Sequence, residues 1–222
     1  MSTQDTDVSP MVDDATNPET RLAAETRRLR ELVASISFAW ANVENAMVML
    51  LYAILRDDQG RISSAIYFAP NAIETRFSIV DKALIELADN MCCEQEIAKA
   101  WGDVLSQLQK LKQTRNKIAH GQISTVSSKG GKNHVRLTRP IFNIQDSRQG
   151  RRAGQILGLT ASDLDTHVGL VRTVIEKLDA FRLIVDLIHA GDFAALKQRL
   201  LELTGDLPST APQLNAPNPQ AP

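Results

Sequence analysis

The sequence predicts an all-α domain of four to five helices with a small β-hairpin inserted before the last long helix. Three observations predict it. Apolar residues recur at spacings of three and four over long stretches on both sides of residues 122–159, which is the signature of helices with one buried face. Within 122–159 the apolar residues Ile123 and Val126, then Val135 and Leu137, flank Ser128-Lys129-Gly130-Gly131-Lys132, a hairpin signal with a Gly-Gly turn. Gly, Pro and short polar runs fall between the periodic stretches, where helices start and stop.

Taken in order, residues 1–17 are polar, acidic and without pattern, and are expected to be disordered. Pro18 opens a helix that holds to about Asp57. Val33, Ile36, Trp40, Val43, Met47, Leu50 and Ile54 form its seam, and Val48, Leu51 and Leu55 add a second row. So wide an apolar face is expected to touch both the helix's own core and a partner. Glu44 sits within it, and a lone acid there calls for a cation, for which Arg115 is the candidate. After Asp57–Gly60, Arg61–Phe68 makes a short helix that stops at Ala69-Pro70. Asn71 and Glu74 read as a capping box for the next helix, with Ile73, Phe77, Val80, Leu84 and Leu87 inside. A further helix runs from about Glu94 to His120. In the hairpin region Pro140 ends the second strand or holds it at an edge, and Ile141–Ile144 and Gln155–Leu159 add one or two short strands. Thr160, with Asp163 three residues on, caps the last long helix, which Gly191 ends. Phe193–Leu203 closes the domain, so the helical domain spans 18–205. Residues 206–222 hold five of the nine prolines and are expected to be disordered.

Composition excludes several classes. The chain is 43% hydrophobic and 23% charged, ordinary for a soluble domain. The scarcity of aromatics leaves little for stacking single-stranded bases. Cys92 and Cys93 are sequence neighbours, a separation that disulfide geometry disfavours, so they read as reduced thiols of a cytoplasmic protein. With two cysteines and four scattered histidines no metal site is expected, and no cofactor motif is present. The start of the chain lacks a basic segment followed by an apolar run, so no secretory leader is expected. Ala46–Leu55, the most apolar stretch, is too short to span a bilayer.

Function concentrates at Lys110–Gly121. Ile97, Trp101, Val104, Leu108, Leu111 and Ile118 form a helix seam with one missing step, and Arg115 occupies it. His120 follows at the helix end, and Gly121 reads as the residue that ends the helix with a positive φ. Net charge is −1, but residues 110–152 carry eleven Lys/Arg against Asp146 alone. A basic segment on an acidic body suits a polyanionic ligand, with Lys117, Lys129, Lys132, Arg136 and Arg139 as candidate nucleic-acid contacts. His134, His167 and His189 are assigned to structure or surface.

The Arg115-Asn116-x-x-x-His120 motif at the end of the third principal helix, followed by a last long helix, resembles the HEPN superfamily of small helical bundles. The resemblance implies a homodimer and a metal-independent RNA endonuclease, as in toxin–antitoxin and antiviral defence systems, with an antitoxin or other protein as a further partner. It implies catalytic roles for Arg115, Asn116 and His120. His120 would be the general acid/base, Arg115 the phosphate clamp, and Asn116 would orient either. A second Arg–His pair, Arg182 and His189, lacks the following Asn and the basic surroundings and is read as coincidence. Arg115 and His120 are five residues apart, about 140° around a regular helix. They converge if the last turn loosens, if the arginine reaches round, or if two copies face each other across a dimer axis. The other reading is a non-catalytic dimeric helical module that holds nucleic acid, a nucleotide or a partner protein through the basic hairpin.

Overall fold

The computed structural model describes residues 17–89, 91, 93–127, 131–138 and 158–205. Among these the order is α1 (Pro18–Leu55), α2 (Arg61–Phe68), α3 (Ile73–Ala88), α4 (Glu94–Ala119), β1 (Gln122–Ser127), β2 (Asn133–Thr138), α5 (Ala161–Ala190) and α6 (Phe193–Thr204). The chain is all-α with one antiparallel hairpin. The segments expected to be disordered, the strands expected at Ile141–Ile144 and from Gln155, and Lys129, Arg139, Pro140 and Cys92 lie wholly or almost wholly outside the described residues.

Local chemistry sets the helix ends. Asn17 Oδ1 accepts from the backbone N–H of Glu19 at 3.0 Å, a side-chain cap on α1, with Pro18 at the first helical position. Thr160 and Asp163 cap α5 reciprocally. The Thr160 N–H and hydroxyl both donate to Asp163 Oδ2 at 2.8 Å, and the Asp163 N–H donates back to Thr160 Oγ1 at 3.0 Å. Gly191 (φ 69°) and Gly205 (φ 74°) end α5 and α6 in the left-handed region. The expected capping box at Asn71 does not form. The helix starts two residues later, with Ala72 in the cap position and no side-chain cap bond. Instead Arg76 Nε reaches back to the Pro70 carbonyl at 2.9 Å, and its guanidinium lies 5.2 Å from the Phe68 ring centre.

The described residues fall into two compact units. The first takes residues up to Glu44 and Leu108–Val174. Its core joins Leu29, Leu32 and Ile36 of α1, Ile118 of α4, Val135 and Leu137 of β2, and Leu164 and Val168 of α5. The hairpin is therefore part of this core. It lies between α4 and α5 as the sequence predicts, and Val135 and Leu137 are 4% and 5% exposed. The strands pair from Gln122↔Thr138 to Ser127↔Asn133. The outer edge of β2 is also engaged. Val135 N–H donates to Glu25 Oε2 at 3.3 Å, and Leu137 and Leu159 exchange backbone bonds of 3.0 and 2.9 Å.

His167 is buried in this unit, and its Nε2 finds no hydrogen-bond partner among the described residues. Burial pushes its pKa below the usual 6.5, so the ring is held neutral. The unfolded chain takes up a proton near pH 6.5 that the folded chain resists. Stability should therefore fall as pH drops below 6.5, with a slope of up to about 1.4 kcal/mol per pH unit. In denaturant titrations between pH 7.5 and 5, His167→Leu should lose less stability than the native chain. An equal loss in both would contradict this.

The second unit takes Asn45–Gln107 and the chain from Ile175. Trp101 is its largest buried residue; its ring meets Phe181 edge-on at 5.1 Å and its Nε1 donates to Asp81 at 2.9 Å. Here α1 and α5 cap each other at their C-termini. Arg56 Nη2 donates to the His189 carbonyl at 3.2 Å, and His189 Nε2 lies 3.1 Å from the Ala53 carbonyl. Arg56 adopts φ 51° at this exchange.

The wide apolar face of α1 is largely covered by the chain itself. Val43, Met47, Val48, Leu50, Leu51 and Ile54 are all at most 8% exposed, and only Leu55 of the expected second row lies open. An 18-residue window of α1 reaches a mean hydropathy of 1.4, but 56% of it is buried, as in a core helix.

Candidate functional site

The motif seam of α4 forms as its spacing predicts: Ile97, Trp101, Val104, Leu108, Leu111 and Ile118 are all buried. Arg115, in the missing step, is half-buried. Its aliphatic stem shares the apolar side of the helix while its guanidinium reaches the edge. There Arg115 Nη1 donates to Asn116 Oδ1 at 3.2 Å. This bond occupies the amide oxygen and leaves the Asn116 NH2 as a donor. Asn116 and His120 are both exposed and four residues apart, on one side of the helix. The imidazole of His120 makes no hydrogen bond to Arg115, Asn116 or any other described residue. The structure thus brings Arg115 and Asn116 together and leaves the histidine open.

The end of α4 stays tight. His120 N–H bonds the Asn116 carbonyl at 3.2 Å, and Gly121 N–H bonds the Ile118 carbonyl at 3.0 Å. The helical offset between Arg115 and His120 is retained, so of the three routes to convergence the loosened turn is not the one taken. Gly121 also departs from expectation. It is absent from the residues with positive φ. A Cβ on it would sit 2.8 and 2.9 Å from Leu137 Cγ and Cδ1. The glycine is needed because β2 packs against the helix end immediately after His120.

The other candidates divide. Glu44 is half-buried in the same unit as the motif. Lys117 and Lys132 are exposed and Arg136 is half-buried. The Thr160 hydrogen bonds, and then the charge of Arg136, lower the Asp163 pKa, so that cation already has one acid near it. Lys129 and Arg139 lie outside the described residues. Lys112, one of the eleven cations of residues 110–152 but not among the candidate contacts, is one turn before Asn116 on the motif side of α4. The signal for it was the i, i+4, i+8 spacing of Lys112, Asn116 and His120.

A cleft of about 520 Å³ lies in the second unit, lined by Tyr52, Arg56, Asp58, Asp186 and His189. Arg56 and His189 are engaged there in the reciprocal helix caps. This gives the Arg182/His189 coincidence a structural role for its histidine. Among the described residues no group of three or more His, Cys, Asp or Glu is placed to hold a metal ion. Comparison with family models, with curated proteins and with solved structures finds no match to this chain.

Proposed function

We propose that the protein is a metal-independent RNA endonuclease of HEPN type, acting as a homodimer, with a toxin or antiviral defence role. The observation that carries the reading is the helix-end arrangement. An arginine set into an apolar seam is tied to the neighbouring asparagine, and an exposed histidine without a hydrogen-bond partner stands one turn on. In the reaction the ribose 2′-oxygen attacks the adjacent phosphorus and the bond from phosphorus to the 5′-oxygen breaks. His120 takes the 2′-hydroxyl proton, and an imidazolium returns a proton to the leaving 5′-oxygen. The products are a 2′,3′-cyclic phosphate and a 5′-hydroxyl end. Arg115 holds the non-bridging oxygens as charge builds on them. Asn116 steadies the guanidinium through its oxygen and offers its NH2 to the phosphate, while Glu44, which the sequence offered as the partner of Arg115, makes no ion pair with it. Replacing Arg115 by Ala should cut kcat/KM far more than replacing Lys117, because only a guanidinium can grip a phosphate with two parallel bonds. Equal losses would mean that charge alone matters, and would favour the non-catalytic binding module.

A dimer supplies two histidines, one as base and one as acid. The second half of α1 is largely buried within the chain. The face that suits a second copy lies in the first unit, where Ala34, Ser35, Ser37, Phe38, Ala41 and Asn42 are exposed and uncharged. Phe38, at 72%, is the most exposed large apolar residue described. A face without charge is compatible with itself across a two-fold axis. Phe38→Glu should convert a dimeric mass to a monomeric one in sedimentation and lower cleavage with it. A native chain that sediments as a monomer at micromolar concentration would contradict the shared site.

A further inference from the structure

The outward side of the hairpin carries an ordered row. Side chains alternate along β2, so Val135 and Leu137 enter the core while His134, Arg136 and Thr138 face away from it. Lys132 stands one residue before the strand and is exposed. Alternate residues on one side of a strand are about 6.6 Å apart. That step is close to the one on which an extended single strand of nucleic acid repeats its phosphates. Opposite the row on β1 stand Gln122, Ser124 and Val126, and neither strand contains an acid or a Phe, Tyr or Trp. The face grips a backbone with its cations and offers bases no large aromatic platform, which makes it tolerant of sequence. Gly158 (φ +107°) adds a second observation. A Cβ there would meet the Leu137 carbonyl oxygen at 2.8 Å and Arg136 Cβ and Thr138 Cγ2 at 3.0 Å. The glycine lets the backbone at 158 lie close along Arg136 and Thr138, both half-buried, and so bounds that end of the row.

The row also has a direction. Thr138 pairs with Gln122, two residues after His120, and Lys132 stands at the far end beside the turn. We propose that this face is a rail for single-stranded RNA on one side of the cut, with Arg136 meeting the phosphate nearest the scissile bond, then His134, then Lys132. The proposal rests on the nuclease reading for the position of the cut, and it adds a substrate class and a one-sided length requirement.

The test uses the full chain and DNA strands that contain one ribonucleotide, which sets the cut, with flanks lengthened one nucleotide at a time. On the rail reading kcat/KM climbs over about the first three nucleotides added to one flank, and stays level on the other. Arg136→Gln removes most of the climb, and Lys132→Gln removes only its last step. Equal dependence on both flanks, or none, overturns the rail while leaving the nuclease reading standing. Binding of all-deoxy strands, followed by anisotropy across a salt series, decides the rail even if no cleavage occurs. Arg136→Gln should weaken binding and reduce the log–log salt slope by about 0.7, one single-strand phosphate contact. Unchanged affinity and slope, or tighter binding of a duplex than of a single strand, overturns it.

Discussion

His120→Ala is expected to lower the cleavage rate by about 10²–10⁴-fold while leaving RNA affinity nearly unchanged. The structure gives the reason for the split. The imidazole is exposed and holds no other group in place, so its removal should cost the fold little. Proton transfer at the 2′- and 5′-oxygens is needed only in the transition state, so its loss appears in kcat and not in ground-state binding. Neutralising the hairpin cations Lys129, Lys132, Arg136 and Arg139 together should do the reverse, with weaker binding, a flatter salt dependence and a nearly unchanged rate at saturating RNA. Comparison of single-turnover rates with binding titrations for the two variants checks both halves. A histidine variant that loses affinity and rate in proportion would place His120 in binding alone.

The second large effect is on stability, at the contact between Gly121 and Leu137. Leu137→Ala should cost roughly 2–5 kcal/mol, because it empties a site shared by α1, α4, β2 and α5. Gly121→Ala should cost about 1–3 kcal/mol, because the new methyl would stand 2.8 Å from Leu137 Cγ and something must shift. The two changes should not add. With Ala at 137 the space for the new methyl is already open, so the double variant should be at least about 0.5 kcal/mol more stable than the sum predicts. Denaturant unfolding of the four chains measures this, and strict additivity would mean that the hairpin does not bear on the helix end.

This contact also shows where sequence reading stops. The punctuation at Gly121 was legible, since a glycine after a periodic stretch marks a helix end. Its cause was not, because it lies sixteen residues away in the packing of Leu137. The helices themselves were legible from spacing, and the Thr160–Asp163 box from local chemistry alone. The same pattern at Asn71 forms no cap, and there Arg76 bonds the Pro70 carbonyl, a contact with no sequence signature. On α1 the periodicity counted apolar faces correctly but could not show that other elements of the chain cover its second half. The exchange of caps between Arg56 and His189 joins residues 133 apart and has no local signal. At the motif, residue types and spacing were legible. The bond from Arg115 to Asn116, and the open histidine beside it, depend on rotamers that no spacing specifies.

In the proposed reaction His120 and Arg115 would cleave RNA through its own 2′-hydroxyl without a metal. Purified protein incubated with mixed RNA in excess chelator measures this directly, with the product ends identified. The expected result is fragments ending in 2′,3′-cyclic phosphate and 5′-hydroxyl, no cleavage of DNA, and loss of the fragments in His120→Ala. Intact RNA with the native protein, or cleavage that survives His120→Ala, would contradict it.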